Sequence, residues 1–137
     1  IKAMGKLQGQ STSCPNSIAQ AAAVEALTGD QSEVAHMRTI FKTRRDYIVS
    51  RLNNMEGVHC DTPGGAFYVF PDFTSYIGKG SIKSADDLSL YFLEQKAVVT
   101  VSGKAFGSNN NVRFSYAASE NDLNRAMDLV EESLKEL

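Results

Sequence analysis

Arg113 stands at the centre of a short alternating run, Val112-Arg113-Phe114-Ser115-Tyr116. In an extended strand Val112, Phe114 and Tyr116 share one face, and Arg113 and Ser115 share the other. A planar guanidinium on a rigid strand offers a fork of N–H donors that matches a carboxylate in bidentate fashion. Two plainer roles compete with that one: an arginine on the solvent face of an antiparallel sheet, or an arginine held in a structural ion pair. Ser102-Gly103-Lys104 has the residue types of a phosphate loop but not the spacing. No glycine lies at the required distance upstream, and Ala105 stands where a magnesium-binding hydroxyl belongs. Gly64-Gly65 precedes a run of strand character, whereas a nucleotide-binding glycine turn opens a helix. His36 and His59 form no convincing metal set with nearby acids or thiols. No Ser/His/Asp set and no paired carboxylates with a supporting pocket appear.

The elements that must carry Arg113 belong to an ordinary soluble domain. The chain has 137 residues, 42% hydrophobic and 22% charged, which suits one globular body. The net charge of −2 comes without a basic stripe, which argues against nucleic acid or an anionic membrane as partner. No apolar run is long enough to span a bilayer, and no signal peptide opens the chain. Cys14 and Cys60 lie far apart and make neither a disulfide framework nor a metal knuckle, so a reducing cytoplasm is expected. The opening residues Ile1, Met4 and Leu7 recur at helical spacing, as in a segment cut from a longer polypeptide.

Ser13 or Ser17 can cap the next helix, and Ser17 with Gln20 fits a capping box. Residues 18–27 are apolar nearly all round and stop at Gly29, so this helix must be covered on most sides. Its partners are expected outside the chain. Asp30 with Glu33 fits a second capping box. From there Val34, Met37, Phe41, Ile48, Leu52 and Met55 stripe a long helix that ends at Gly57. Arg38, Lys42, Arg44, Arg45 and Arg51 lie off that stripe, as an anion-binding strip or, on the plainer reading, a solvated face. The remainder reads as strands over 58–60, 66–70, 97–101 and 112–116, with a helix opened by Ser84 and Asp87 and a final helix striped by Leu123, Met127, Val130 and Leu134. Residues 74–83, rich in Ser, Gly and Lys, read as the most mobile loop.

Four stretches, in order, carry a resemblance to a known family. They are Gln10-Ser11-Thr12-Ser13 with Ser17-Ile18-Ala19-Gln20-Ala21-Ala22; Pro63-Gly64-Gly65-Ala66-Phe67-Tyr68-Val69-Phe70; Val99 to Gly107; and Val112-Arg113-Phe114-Ser115-Tyr116-Ala117. Together they resemble the C-terminal part of class I/II aminotransferases, pyridoxal-phosphate enzymes of fold type I, and most closely the bacterial aspartate aminotransferase subgroup. One departure is Ser102, where the family usually has proline before the glycine, which loosens the expected loop.

The resemblance implies an α+β fold: a small mixed or antiparallel sheet covered by helices on one face, preceded by a long bridging helix. Residues 1–29 would be the tail of the large cofactor domain, 30–56 the bridging helix and 57–137 the small C-terminal domain. It implies that Arg113 binds the substrate α-carboxylate. Phe67 either lines the same cleft or serves as a core aromatic. No catalytic, cofactor-binding or metal-binding residue is assigned in this chain. Pyridoxal 5′-phosphate belongs to the parent enzyme and none is expected on this segment, because the Schiff-base lysine should lie upstream of Ile1. The implied substrates are an amino acid, aspartate or one like it, and a 2-oxo acid; the implied assembly is a cytoplasmic homodimer, without nucleic acid or membrane. The segment alone is expected to be inactive. The rival is a free-standing, non-enzymatic α+β module that binds an amino acid or a protein partner.

Overall fold

The computed structural model describes residues 1–12 and 14–137, so Ser13, one of the two candidate caps, lies outside the described residues. The chain divides into two compact units, residues 1–35 and 36–137.

In the first unit, helix α1 spans Lys2–Ser11 and helix α2 spans Ser17–Thr28. The cap of α2 is Asn16, not Ser17: its side-chain oxygen accepts the Ala19 N–H at 2.8 Å. Gln20, expected to close a capping box, instead donates to the Pro15 carbonyl at 2.8 Å. Asn fills this position as well as Ser, so composition alone does not separate them. No residue of α1 or α2 is buried, and Ile18 and Leu27 are each 81% exposed. A helix apolar on so many sides has none of the cover that its sequence demands among the described residues.

Helix α3, Ser32–Asn53, begins where the Asp30 carboxylate accepts the Ser32 N–H at 2.9 Å. Its 22 residues make it roughly 33 Å long at about 1.5 Å per residue. Only the second half of the predicted stripe is buried: Ile48, Leu52 and Met55 enter the core, joined by Val49, and Phe41 packs on its margin, while Val34 and Met37 stay exposed. The helix stops at Asn53 rather than Gly57. The Asn53 side chain closes a two-way bond with the Cys60 backbone, donating at 2.9 Å and accepting at 2.8 Å. Gly57 then turns the chain at φ +73, where an added Cβ would sit 2.8 Å from the Ser75 Cβ.

The basic face of α3 is neither an anion strip nor simply solvated. Arg51 donates to Asp128 at 2.6 Å, Glu131 at 3.3 Å and the Tyr47 hydroxyl at 2.8 Å. Arg45 pairs with Asp46 at 2.6 Å and reaches the Pro63 carbonyl at 3.2 Å. Arg38 and Lys42 are exposed. Two arginines thus tie α3 to the C-terminal helix and to the glycine turn.

A three-stranded antiparallel sheet follows, with β1 (Tyr68–Val69), β2 (Val101–Ser102) and β3 (Val112–Ser115) in the order β1-β3-β2. Tyr68 lies opposite Ser115, Val69 opposite Phe114, and Val101 opposite Arg113. The α+β class holds, with the sheet antiparallel throughout. The strands are shorter than the apolar runs that carry them. Residues 58–60 contribute a single bridge, His59 to Asp72. Ala66, at φ +60, delays the start of β1. Helix α4 (Ala85–Lys96) and helix α5 (Glu120–Lys135) pack on each other, and α4 covers the sheet face that carries Val112 and Phe114. The cap read from sequence forms as expected, with Ser84 accepting from Asp87, and Ser119 likewise caps α5 by accepting from Asp122. The α5 stripe of Leu123, Met127, Val130 and Leu134 is buried.

Residues 74–83 are anchored rather than loose. Tyr76 and Ile82 are buried, and the Tyr76 hydroxyl donates to the Glu56 carbonyl at 2.6 Å. No described helix is long and apolar enough to cross a membrane.

Candidate functional site

Alternation along β3 decides the site. Val112 and Phe114 are buried under α4, so Arg113 and Ser115 emerge on the opposite, open face of the sheet. The antiparallel register brings Tyr68, opposite Ser115, onto that same face and diagonal to Arg113. A third element arrives from the loop after β2. A short 3-10 turn, Gly103–Phe106, carries Phe106 over the sheet.

These elements bring two rings against the Arg113 head. Its Cζ lies 4.3 Å from the centroid of Tyr68 and 4.7 Å from that of Phe106. Each ring has its own support. Phe67 packs tilted on Tyr68 at 4.3 Å, and Phe70 meets Phe106 edge-on at 5.9 Å. Among the described residues the Arg113 side chain has no hydrogen bond and no ion pair, although it is only partly exposed. Every other arginine tied into the second unit by side-chain bonds, Arg45 and Arg51, faces an acid. Of the two plain roles for Arg113, the structural ion pair is therefore absent among the described residues.

The loop that delivers Phe106 is closed by its own backbone. Gly103 N–H donates to the Asn111 carbonyl at 2.8 Å, and Ser108 N–H to the Gly103 carbonyl at 3.0 Å. A Cβ at Gly103 would lie 2.3 Å from the Asn111 oxygen, so no other residue fits without moving the loop. The Asn111 side chain donates to the Phe70 carbonyl at 3.0 Å, which links the loop to the end of β1. Ser102 does not loosen this loop. Its backbone angles of φ −57 and ψ 139 are those a proline would take, and its hydroxyl accepts the Lys104 N–H at 3.2 Å. The same hydroxyl and the Lys104 ammonium bond Asp86, which holds that carboxyl below its usual range.

At the other end of β3 the Tyr116 hydroxyl donates to the Ala66 carbonyl at 2.8 Å, and Tyr116 N–H to the Phe67 carbonyl at 2.9 Å. Both bonds fix the Gly64-Gly65-Ala66 turn and with it the approach of Phe67. Phe67 is 42% exposed with its ring against Tyr68, so it is not a core aromatic.

Two sequence features drop out. Cys60 is buried and its thiol is pushed up to about 11, chiefly by burial, so it is inert at neutral pH. His59 is exposed and faces only Asp61, and no metal-holding group of acids, thiols and imidazoles occurs among the described residues. Tyr68 and Phe106 were not singled out in the sequence as neighbours of Arg113. Alternation about Val69 was a signal for Tyr68, and Phe106 was marked only by lying in the Val99 to Gly107 stretch that carries the resemblance.

Residues 1–130 match the family model for aminotransferase class I and II. The aspartate/prephenate aminotransferase of Cereibacter sphaeroides is 49% identical over 92% of this chain and 33% of its own length. The aspartate aminotransferase of Pinus pinaster is 43% identical over 98% of this chain and 29% of its own length. Among solved structures, the aspartate aminotransferase of Rhizobium meliloti superposes with a TM-score of 0.89 at 40% identity, over 98% of this chain and 35% of that one. The chain spans about one third of the length of the relatives it matches.

That family implies pyridoxal phosphate, but the residues present do not build a cradle for it. An imine-forming lysine must be shielded and able to lose its proton. Lys96, the one lysine that is not exposed, is held by Glu132 at 2.9 Å and Glu136 at 2.8 Å, which raises its pKa instead. Lys104 is committed to Asp86 and Lys135 to Glu131. What this chain supplies is a braced, unpartnered guanidinium on a rigid strand, in a sheet of the family's α+β type. The chain belongs to the class I and II aminotransferases.

Proposed function

We propose that this chain is the C-terminal part of a pyridoxal-phosphate-dependent aminotransferase, and that Arg113 binds the α-carboxylate of its amino-acid and 2-oxo-acid substrates. The observation that supports the assignment is a half-buried arginine with two rings close against its guanidinium and no acid partner among the described residues. Such a group keeps its N–H fork for an external anion, and a carboxylate matches it in plane. The names of the similar proteins, aspartate aminotransferase and aspartate/prephenate aminotransferase, support aspartate as the amino donor. They do not favour the alternative of a free-standing binding module.

In this reading residues 1–29 close the large domain, 30–56 form the bridging helix and 57–137 form the small domain. The cofactor and the lysine that bonds it come from elsewhere in the polypeptide, so the chain by itself is inactive. The apolar surface of α1 and α2 is covered by the large domain or by a second subunit of a cytoplasmic homodimer. Phe67 lines the substrate cleft beside Arg113, supported by its exposure and its contact with Tyr68.

Steady-state kinetics on the complete polypeptide test the assignment. Arg113→Ala is expected to cost about 2–5 kcal/mol in kcat/KM, because the substrate carboxylate is left unpaired in a water-poor cleft. Arg113→Lys keeps the charge, loses the fork and recovers only part of that. An unchanged kcat/KM in Arg113→Ala removes Arg113 from the substrate site.

A further inference from the structure

We propose that Tyr68 and Phe106 are positioning residues for carboxylate binding, acting as two jaws that hold the Arg113 guanidinium in one plane. The proposal rests on the assignment of Arg113 to the substrate carboxylate. Three observations carry it. First, the guanidinium lies 4.3 Å from one ring centroid and 4.7 Å from the other. Second, those ring contacts are the only interactions of the Arg113 head among the described residues. A long side chain with no polar anchor ordinarily samples several rotamers, and binding must then order it at an entropic cost. Third, the rings come from two separate elements, each locked in place. Tyr68 sits in β1, registered against Ser115, and Phe106 sits in a turn whose Gly103 admits no side chain.

The choice of aromatic jaws has a chemical consequence. A carboxylate used as an anchor would consume the fork and neutralise the charge, as Asp128 and Glu131 do for Arg51. Rings hold the guanidinium through their quadrupole without accepting its N–H groups as a carboxylate does. They also exclude some water from it, so an incoming carboxylate meets a guanidinium that is already partly desolvated and already oriented. A bidentate pair then forms edge-on, in the guanidinium plane.

The test compares Tyr68→Leu, Phe106→Leu and Arg113→Ala in the complete polypeptide, with succinate as a carboxylate probe that cannot be transaminated. Each leucine variant is expected to bind succinate on the order of 2- to 10-fold more weakly, the cost of ordering one freed side chain. In turnover KM rises more than kcat falls. Tyr68→Phe, which keeps the ring and loses only the hydroxyl, restores the parent affinity; a requirement for the hydroxyl would overturn the jaw role. An independent readout is the Arg113 Nε–Hε resonance in the 137-residue chain. It should be displaced by ring current in the parent and move to the unstacked position in both leucine variants. Both jaws lie outside the buried core, and the urea midpoint of each variant reports on folding separately. If the leucine variants bind succinate like the parent while Arg113→Ala loses it, the jaws are overturned and the arginine assignment stands. If Arg113→Ala also binds like the parent, the assignment itself falls. An Arg113 resonance that shows no ring-current displacement in the parent overturns the clamp without any variant.

Discussion

Gly103→Ala puts the loop geometry to its sharpest test. The added Cβ would stand 2.3 Å from the Asn111 carbonyl oxygen and 2.9 Å from the Ser108 carbonyl oxygen. Both are backbone atoms, so no side-chain rotation relieves the clash. The loop must open by about 1 Å to reach ordinary van der Waals separation. That opening breaks the 2.8 Å bond from Gly103 to Asn111 and the 3.0 Å bond from Ser108 to Gly103. Two backbone bonds at about 1 kcal/mol each, with some buried polar atoms left unsatisfied, give about 2–4 kcal/mol of lost stability. The change should appear in urea unfolding as a lower midpoint at unchanged slope. It should also pull Phe106 off Arg113, so the Arg113 Nε–Hε resonance moves with the stability loss. A variant less than about 0.5 kcal/mol below the parent, the usual range for a neutral surface change, would refute the reasoning.

Further outcomes follow from single residues. Ala97 closes α4 in the left-handed region at φ 55, where a Cβ costs about 1–2 kcal/mol, so Ala97→Gly should stabilise the chain despite the extra freedom of glycine when unfolded; calorimetry checks it. Ser102→Pro should leave stability within about 1 kcal/mol of the parent, since the φ of −57 suits proline and its gain of about 0.4–1 kcal/mol partly offsets the hydroxyl's lost bonds to Lys104 and to the exposed Asp86; a urea midpoint far below the parent contradicts this. The Glu136 carboxyl is held below its ordinary 4.5, first by the hydrogen bond from Lys96, so its contribution is present above 4.5 and disappears as pH falls through the lowered value. Lys96 has its pKa raised above 10.5, so its side of the pair persists below 10.5 and is lost as pH rises through the raised value; Glu136→Gln should flatten the acid limb of a stability–pH profile.

Nearness in sequence made some of the local chemistry legible, not all of it. Ser84 with Asp87 forms the expected cap, whereas Ser17 with Gln20, also three residues apart, gives way to Asn16. The α5 stripe is buried as its spacing required. Elements that depend on distant partners came out differently. The runs 66–70 and 97–101 have strand composition throughout, yet only Tyr68–Val69 and Val101–Ser102 find β3 beside them. Composition reports the tendency to extend, whereas pairing is settled by register and by the φ of +60 at Ala66. The loop 74–83 looked mobile from its Ser, Gly and Lys content. Tyr76 and Ile82 outweigh that content, because one buried aromatic and one buried aliphatic anchor the backbone between them.

The site shows the same limit more sharply, in the contrast between Arg51 and Arg113. Each lies in an apolar-patterned element, and nothing local distinguishes their roles. Arg51 meets Asp128 and Glu131, acids 77 and 80 positions away, and its N–H groups are consumed there. Arg113 meets two rings and no acid. The alternation of β3 fixed which face Arg113 occupies, but only the fold reveals that its fork is unused. That difference separates an arginine that holds a structure together from one available to a ligand. It arises because Tyr68 and Phe106, buttressed by Phe67 and Phe70, stand beside Arg113, and no ion pair reaches it among the described residues. Two rings and a rigid strand orient this guanidinium without taking up its N–H donors, the arrangement on which the proposed carboxylate role is built.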